Sequence, residues 1–168
     1  IPLRFRGQNT GGVVRKITTQ RIGPLAELPA VLRDLGADVD AIFDGSGLDP
    51  ATITPDLRMP FPDLLKLLER AARMSKCPHL GVLFGLRFDV VKHHGLIGAL
   101  MLTAPTLKQA MIDCVTWQLG YSSGAIVYLN KLGDEYAFGY GTYKVSAPGT
   151  RVLYDAIIGI ALRVVDEL

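Results

Sequence analysis

The apolar residues of this chain change their period at Gly120. Before it they recur every three or four residues; between Ser123 and Lys144 they alternate; from Thr150 to Leu168 the helical spacing returns. This pattern predicts an α+β domain: an N-terminal helical half, a small antiparallel sheet visible as one β-hairpin, and a long C-terminal helix.

The strongest helical signal runs over about 61–74. Phe61, Leu64, Leu65, Leu68, Ala71 and Ala72 form one face, and Lys66, Glu69, Arg70 and Arg73 form the wet one. Pro62 suits the first turn, where its missing N–H costs nothing. A first helix is expected over 25–35, with Leu28, Val31, Leu32 and Leu35 inward and Gly36 just past its end. Further helices are expected over 39–43, 80–86 and 96–102. Thr103-Ala104-Pro105-Thr106 then reads as a hydroxyl cap with a proline in the first turn, opening a helix that runs to about 119. Strands are expected over 123–130 and 134–144 around Lys131-Leu132-Gly133. Tyr136, Phe138 and Tyr140 share one face of the second strand. Ala137, Gly139 and Gly141 leave the other nearly bare, giving room for a helix or a ligand. Residues 1–20, with Gly7, Gly11 and Gly12 among polar neighbours, are expected to form a flexible arm ahead of a domain at 21–168.

Composition narrows the function classes. The 168 residues suffice for one domain with a core. At 49% hydrophobic and a mean hydropathy of +0.27 the chain is too apolar for disorder, yet no uncharged run is long enough to cross a bilayer. Such apolarity predicts surface covered by a subunit or by further chain. Eighteen basic against 16 acidic residues leave a net charge of +2, with no footprint for nucleic acid. Cys77 and Cys114 fit no zinc spacing and suit a reducing cytoplasm.

No arrangement of residues announces catalysis or a cofactor. His93 and His94 are adjacent and point different ways, and His79 stands at a turn, so no metal site is expected. Cys114 sits on a buried helix face, unsuited to a reactive thiol. Tyr128, Tyr136, Phe138 and Tyr140, with Trp117, form the candidate ligand wall; the same rings could equally cover a core. Arg87 and Arg151 could pair with a carboxylate effector or lie in solvent. In the last helix Ile157, Ile160 and Val164 are the candidate dimer contact, because the apolar face there is wide.

Several short motifs occur in a telling order: Gly-Leu-Asp-Pro at 47–50, Met59-Pro60, Leu-Leu-Glu-Arg-Ala-Ala at 67–72, Pro-His-Leu-Gly at 78–81, and the run GLIGALMLTAPTLKQA at 95–110. Together with Asp155 they resemble the N-terminal sensor domain of AraC/XylS-type bacterial transcription regulators, in the arabinose-binding-like, non-cupin subgroup. Ala104 stands where that pattern usually has Ser. The resemblance covers about 21–168 and implies a cytoplasmic domain of α+β fold that senses a small effector. It further implies a homodimer, with DNA read through a separate C-terminal helix-turn-helix domain absent from this chain. The sensor itself is expected to continue past Leu168 with further strands. Arabinose is not carried over, since no residue here specifies it. The competing readings are an interaction module with a sealed core and a small enzyme in which His79, His94 and Cys114 converge.

Overall fold

The computed structural model describes residues 18–143 and 147–168. Most of the expected N-terminal arm, and the C-terminal end of the second predicted strand, lie outside them. The architecture is α+β, as expected, with a short strand pair at the front that the alternation pattern was too brief to reveal. Strand β1 (Thr19–Arg21) pairs antiparallel with β2 (Arg58–Pro60), Gln20 facing Met59. Thr19 and Gln20, placed in the arm by sequence, therefore belong to the folded domain. On its other side β1 meets 121–123: Arg21 donates to the Tyr121 carbonyl and Ser123 to that of Thr19, both at 3.0 Å.

The chain then turns through a 3₁₀ segment (Gly23–Glu27) into α1 (Leu28–Asp34) and α2 (Val39–Phe43). Gly36 ends α1 at φ +68, the left-handed conformation a C-terminal glycine supplies. Leu35, expected inward, is 40% exposed because it lies past the last turn. Helix α3 (Phe61–Ser75) buries Phe61, Leu64, Leu65, Leu68 and Ala71, as its periodicity predicts, and Leu67 as well. Next come α4 (Leu80–Gly85), α5 (Val90–His94), α6 (Leu96–Leu102) and α7 (Leu107–Trp117). Helix α5 is one turn, too short for a period, and the sequence reading missed it; Asp89 caps it by accepting from the Lys92 amide. Thr106 caps α7 by accepting from Gln109 at 3.1 Å, so Pro105 precedes the cap rather than entering the first turn.

Strands β3 (Ala125–Leu132) and β4 (Glu135–Thr142) form the hairpin. Positive φ falls on the first loop residue only, Gly133 at +62, as in a type II′ turn. The register sets Val127 against Tyr140, Leu129 against Phe138 and Lys131 against Tyr136. Residues paired directly across the ladder share a face. Tyr128, paired with Gly139, is thus on the opposite face from the other strand aromatics. Its ring covers the glycine, filling the space expected for a helix or a ligand.

Helix α8 (Thr150–Glu167) closes the domain. It lies so close to α4 that a Cβ on Gly81 would stand 2.1 Å from the Val152 carbonyl oxygen, and one on Gly85 2.3 Å from that of Ala156. Two apolar clusters result. The larger gathers α1–α4 with Ala125, Val152 and Ala156; the smaller gathers Phe88, Val90, Met101, Ala110, Met111, Cys114 and Val164. Helix α8 contributes to both.

Candidate functional site

Between the two clusters lies a cavity of about 100 Å³. Leu25, Leu64, Leu68 and Phe84 wall it from the larger cluster, and Met101, Met111, Cys114 and Val164 from the smaller. The strand pair supplies Gln20, and the hairpin supplies Val127, Phe138 and Tyr140. Along α8, Leu153, Ala156, Ile157, Ile160 and Ala161 also line it, as do Ile22, Pro24 and Ile97. An unfilled apolar space of this size forgoes contacts that a close-packed core would make.

Polar groups on the wall divide into satisfied and orphaned. Gln118 uses both ends of its amide, donating to the Ala125 carbonyl and accepting from the Val127 amide, each at 3.1 Å; this anchors β3 to the end of α7. The Tyr121 hydroxyl donates to the His93 carbonyl at 3.4 Å. By contrast Gln20 Oε1 and His94 Nδ1 are buried without a hydrogen-bond partner among the described residues. Such atoms ordinarily cost about 1–3 kcal/mol each.

His94 is wedged edge-on between Phe88 (4.9 Å) and Tyr121 (5.1 Å). Burial, reinforced by the positive charge of Arg21 and by His93, lowers its pKa to about 4, so it is neutral at pH 7. Its neighbour His93 points elsewhere, as adjacent helical residues must. There Nδ1 accepts from the Asp89 amide at 2.9 Å, leaving Nε2–H to donate to Glu27 at 3.1 Å. That contact clips α5 to the 3₁₀ segment. Burial holds the Cys114 thiol up at about 11. Cys114 and His94 thus share a cavity as thiol and neutral imidazole, not as the thiolate–imidazolium pair of a nucleophilic enzyme. His79 is on the surface at the start of α4 and makes no capping bond. Among the described residues no three His, Cys, Asp or Glu side chains gather as metal ligands.

The family-model comparison decides the identity. The model of the N-terminal arabinose-binding domain of AraC transcription regulators matches residues 36–168. The chain belongs to that family. A comparison with curated proteins finds no match. As an AraC arabinose-binding family domain it is a ligand-sensing regulatory unit of transcription regulators, a class apart from enzymes. No helix among the described residues is long and apolar enough to cross a membrane.

Within this AraC-family domain the residues singled out by sequence are dispersed. Phe138 and Tyr140 wall the cavity. Tyr136 shares their strand face but lies beyond it, under the Lys108 ammonium at 4.9 Å. Tyr128 is outside, on Gly139. Trp117 is 59% exposed and lines a separate open groove with Arg21, Leu96 and Leu100. Arg151 is exposed, and Arg87 pairs with Asp34 on the surface. Ile157, Ile160 and Val164, chosen as a dimer contact, line the cavity instead. The outward stripe of α8 is Ile158, Leu162 and Val165, each about 60% exposed. Sequence reasoning overlooked Gln20 and His94. Nothing in the pattern marks a glutamine in a three-residue strand, and His94 was weighed only as a metal ligand or as a member of a catalytic set.

Proposed function

We propose that this domain senses a small effector in the cavity between the two clusters, and that occupancy controls DNA binding by a helix-turn-helix domain outside this chain. The single observation carrying the reading is the placement of that cavity. An occupant would touch both clusters, and α8 along three turns from Leu153 to Val164. Filling it would change the packing of one cluster on the other, with α8 as the common lever. The effector can shift that equilibrium only by its difference in affinity for the two arrangements. Both cysteines are free, in keeping with a bacterial cytoplasm.

The test is a thermal-shift screen of small metabolites on the domain, repeated on Ala161→Leu, which fills the cavity. A true effector at a hundredfold its Kd stabilises by about 2.7 kcal/mol, and Ala161→Leu abolishes the shift. The same substitution in the whole regulator should uncouple transcription from the effector. A hit that stabilises Ala161→Leu equally binds elsewhere and removes this reading. Unchanged regulation in that variant would favour an interaction module without a ligand.

Self-association through α8 is part of the proposal, supported by family likeness and by the Ile158, Leu162 and Val165 stripe. Leu162→Glu is expected to convert a dimer to monomer in sedimentation while changing monomer stability by less than about 0.5 kcal/mol, since the site is exposed. A dimer of unchanged mass would exclude this face.

A further inference from the structure

We infer that a second copy of this chain docks along the edge of β4 from Tyr136 to Tyr140, so that two hairpins join as one four-stranded antiparallel sheet with both α8 helices on the same face. The inference rests on the self-association proposed above and names the surface that makes it. Three observations carry it.

The first is the phase of the hairpin. In a ladder closed by a two-residue loop, Leu132 and Glu135 exchange both backbone bonds, and so does every second pair beyond them: Asn130 with Ala137, Tyr128 with Gly139, Ile126 with Gly141. The amides and carbonyls of the residues between point away from the partner strand. Bonds at the base of the hairpin agree. Tyr143 donates inward to the Gly124 carbonyl, whereas Ala125 and Val127 turn outward to Gln118, and the Thr142 amide turns outward to the Tyr154 hydroxyl. Gln118 thus serves the start of the outer edge of β3. On β4 the backbone groups of Tyr136, Phe138 and Tyr140 have no hydrogen-bond partner among the described residues. From Tyr136 to Thr142 the strand has no charge, no proline and no bulge, the devices by which natural edges avoid pairing.

The second observation is that the exposed stripe of α8 lies on the same flank. Tyr154 meets β4 at this edge: its hydroxyl is 3.3 Å from the Thr142 amide nitrogen, and its ring stands edge-on to Tyr140 at 6.1 Å. Ile158, Leu162 and Val165 follow Tyr154 along the helix. At 3.6 residues per turn all three fall within about a quarter turn of it. Unmet backbone groups and exposed apolar side chains therefore border one another, which is what a strand with an apolar underside requires.

The third is self-complementarity. A two-fold axis at Phe138 sets that residue against its own copy, and Tyr136 of each copy against Tyr140 of the other, every pair exchanging two bonds. Thr142, already bonded to Tyr154, falls outside the paired run. Glu135 would face Gly141 of the other copy, so no like charges meet across the seam. The same axis turns the two stripes of Ile158, Leu162 and Val165 toward each other beneath the joined sheet. Pairing and apolar burial are thus met by one arrangement, and a second copy supplies both.

The experiment has two arms. In sedimentation, Tyr136→Pro removes an outward N–H and leaves every bond of the hairpin ladder in place, so the dimer dissociation constant should rise at least tenfold. Tyr136→Ala keeps the N–H and should change it less than threefold. In oxidative cross-linking, Phe138→Cys should give a covalent dimer, because paired edges put the two Cα atoms about 5.5 Å apart, within reach of a disulfide. Leu132→Cys, roughly 40 Å from its copy by strand rise, should not. The cross-link keeps the test decisive if Tyr136→Pro does not fold. A dimer that Leu162→Glu splits and Tyr136→Pro does not, with no covalent Phe138→Cys dimer, overturns edge pairing and leaves association through α8 standing. A wild type that stays monomeric at every concentration overturns both. If the Tyr136, Phe138 and Tyr140 amides of that monomer also resist hydrogen exchange, another strand of the same polypeptide holds the edge. None of these results bears on effector sensing, which the metabolite screen judges by itself.

Discussion

Gly85→Ala is expected to destabilise the domain by about 2 kcal/mol, against the sign that helix propensity gives. In a helix interior alanine is favoured over glycine by about 1 kcal/mol. Here the added Cβ would sit 2.3 Å from the Ala156 carbonyl oxygen, well inside van der Waals contact. The obstacle is backbone, so no rotamer relieves it; α4 and α8 must separate. On the far side Gly159 presses on Gly85 and Leu86 with 2.9 Å left for its own Cβ, so separation loosens the whole contact. Gly85→Val should cost more than Gly85→Ala. Gly120→Ala provides the control, because no heavy atom lies within 4 Å of its Cβ position, and it should change stability by less than about 0.5 kcal/mol. Urea denaturation of the three variants checks this. A neutral or stabilised Gly85→Ala would mean that the two helices do not approach this closely.

Acidification should unfold the domain through His94. Its pKa is about 4 in the folded protein and ordinarily 6.5, so between those values the unfolded chain holds more protons. Stability therefore rises with pH across that window and is lost as pH falls. The loss from His94 alone is about 2 kcal/mol by pH 5 and about 3 kcal/mol by pH 4. His93 acts in the same direction, its pKa lowered chiefly by burial despite the nearby Glu27 carboxylate. Burial raises the Glu27 pKa, but bonds to Lys92 and His93 outweigh it and hold the carboxyl below its usual range, so protonating Glu27 costs further stability at still lower pH. Urea midpoints from pH 7.5 to 4.5 measure the slope. His94→Phe, which cannot take up the proton, should flatten it while leaving the His93 contribution. Equal stability of the wild type at pH 7 and pH 5 would show that His94 protonates in place and that its burial is wrong.

What the cavity is made of was only partly legible. Phe138 and Tyr140 could be named because alternation in a strand fixes which residues share a face. Tyr128 belongs to the same apparent set, but its face depends on the pairing register, and a shift of one residue inverts it. Ile157, Ile160 and Val164 were recognisably one stripe of a helix; whether that stripe meets a second copy or the interior is decided by what packs around it. The glycines of α4 gave no signal of their own, since a helix reads Gly81 and Gly85 as weak residues until another backbone arrives at 2 Å from their missing side chains.

By itself the sequence determined the α+β class, the long helices, the hairpin with its glycine turn, and the family. All of these are local or ordered along the chain: a period, a turn glycine or a motif spacing needs no distant partner to be read. Tertiary structure decided the strand joining Gln20 to Met59, the helix contact at Gly85, the orphaned atoms of Gln20 and His94, and the cavity itself. Each depends on groups far apart in the chain meeting at ångström distances, and a void between two packed clusters is a property of neither sequence segment alone.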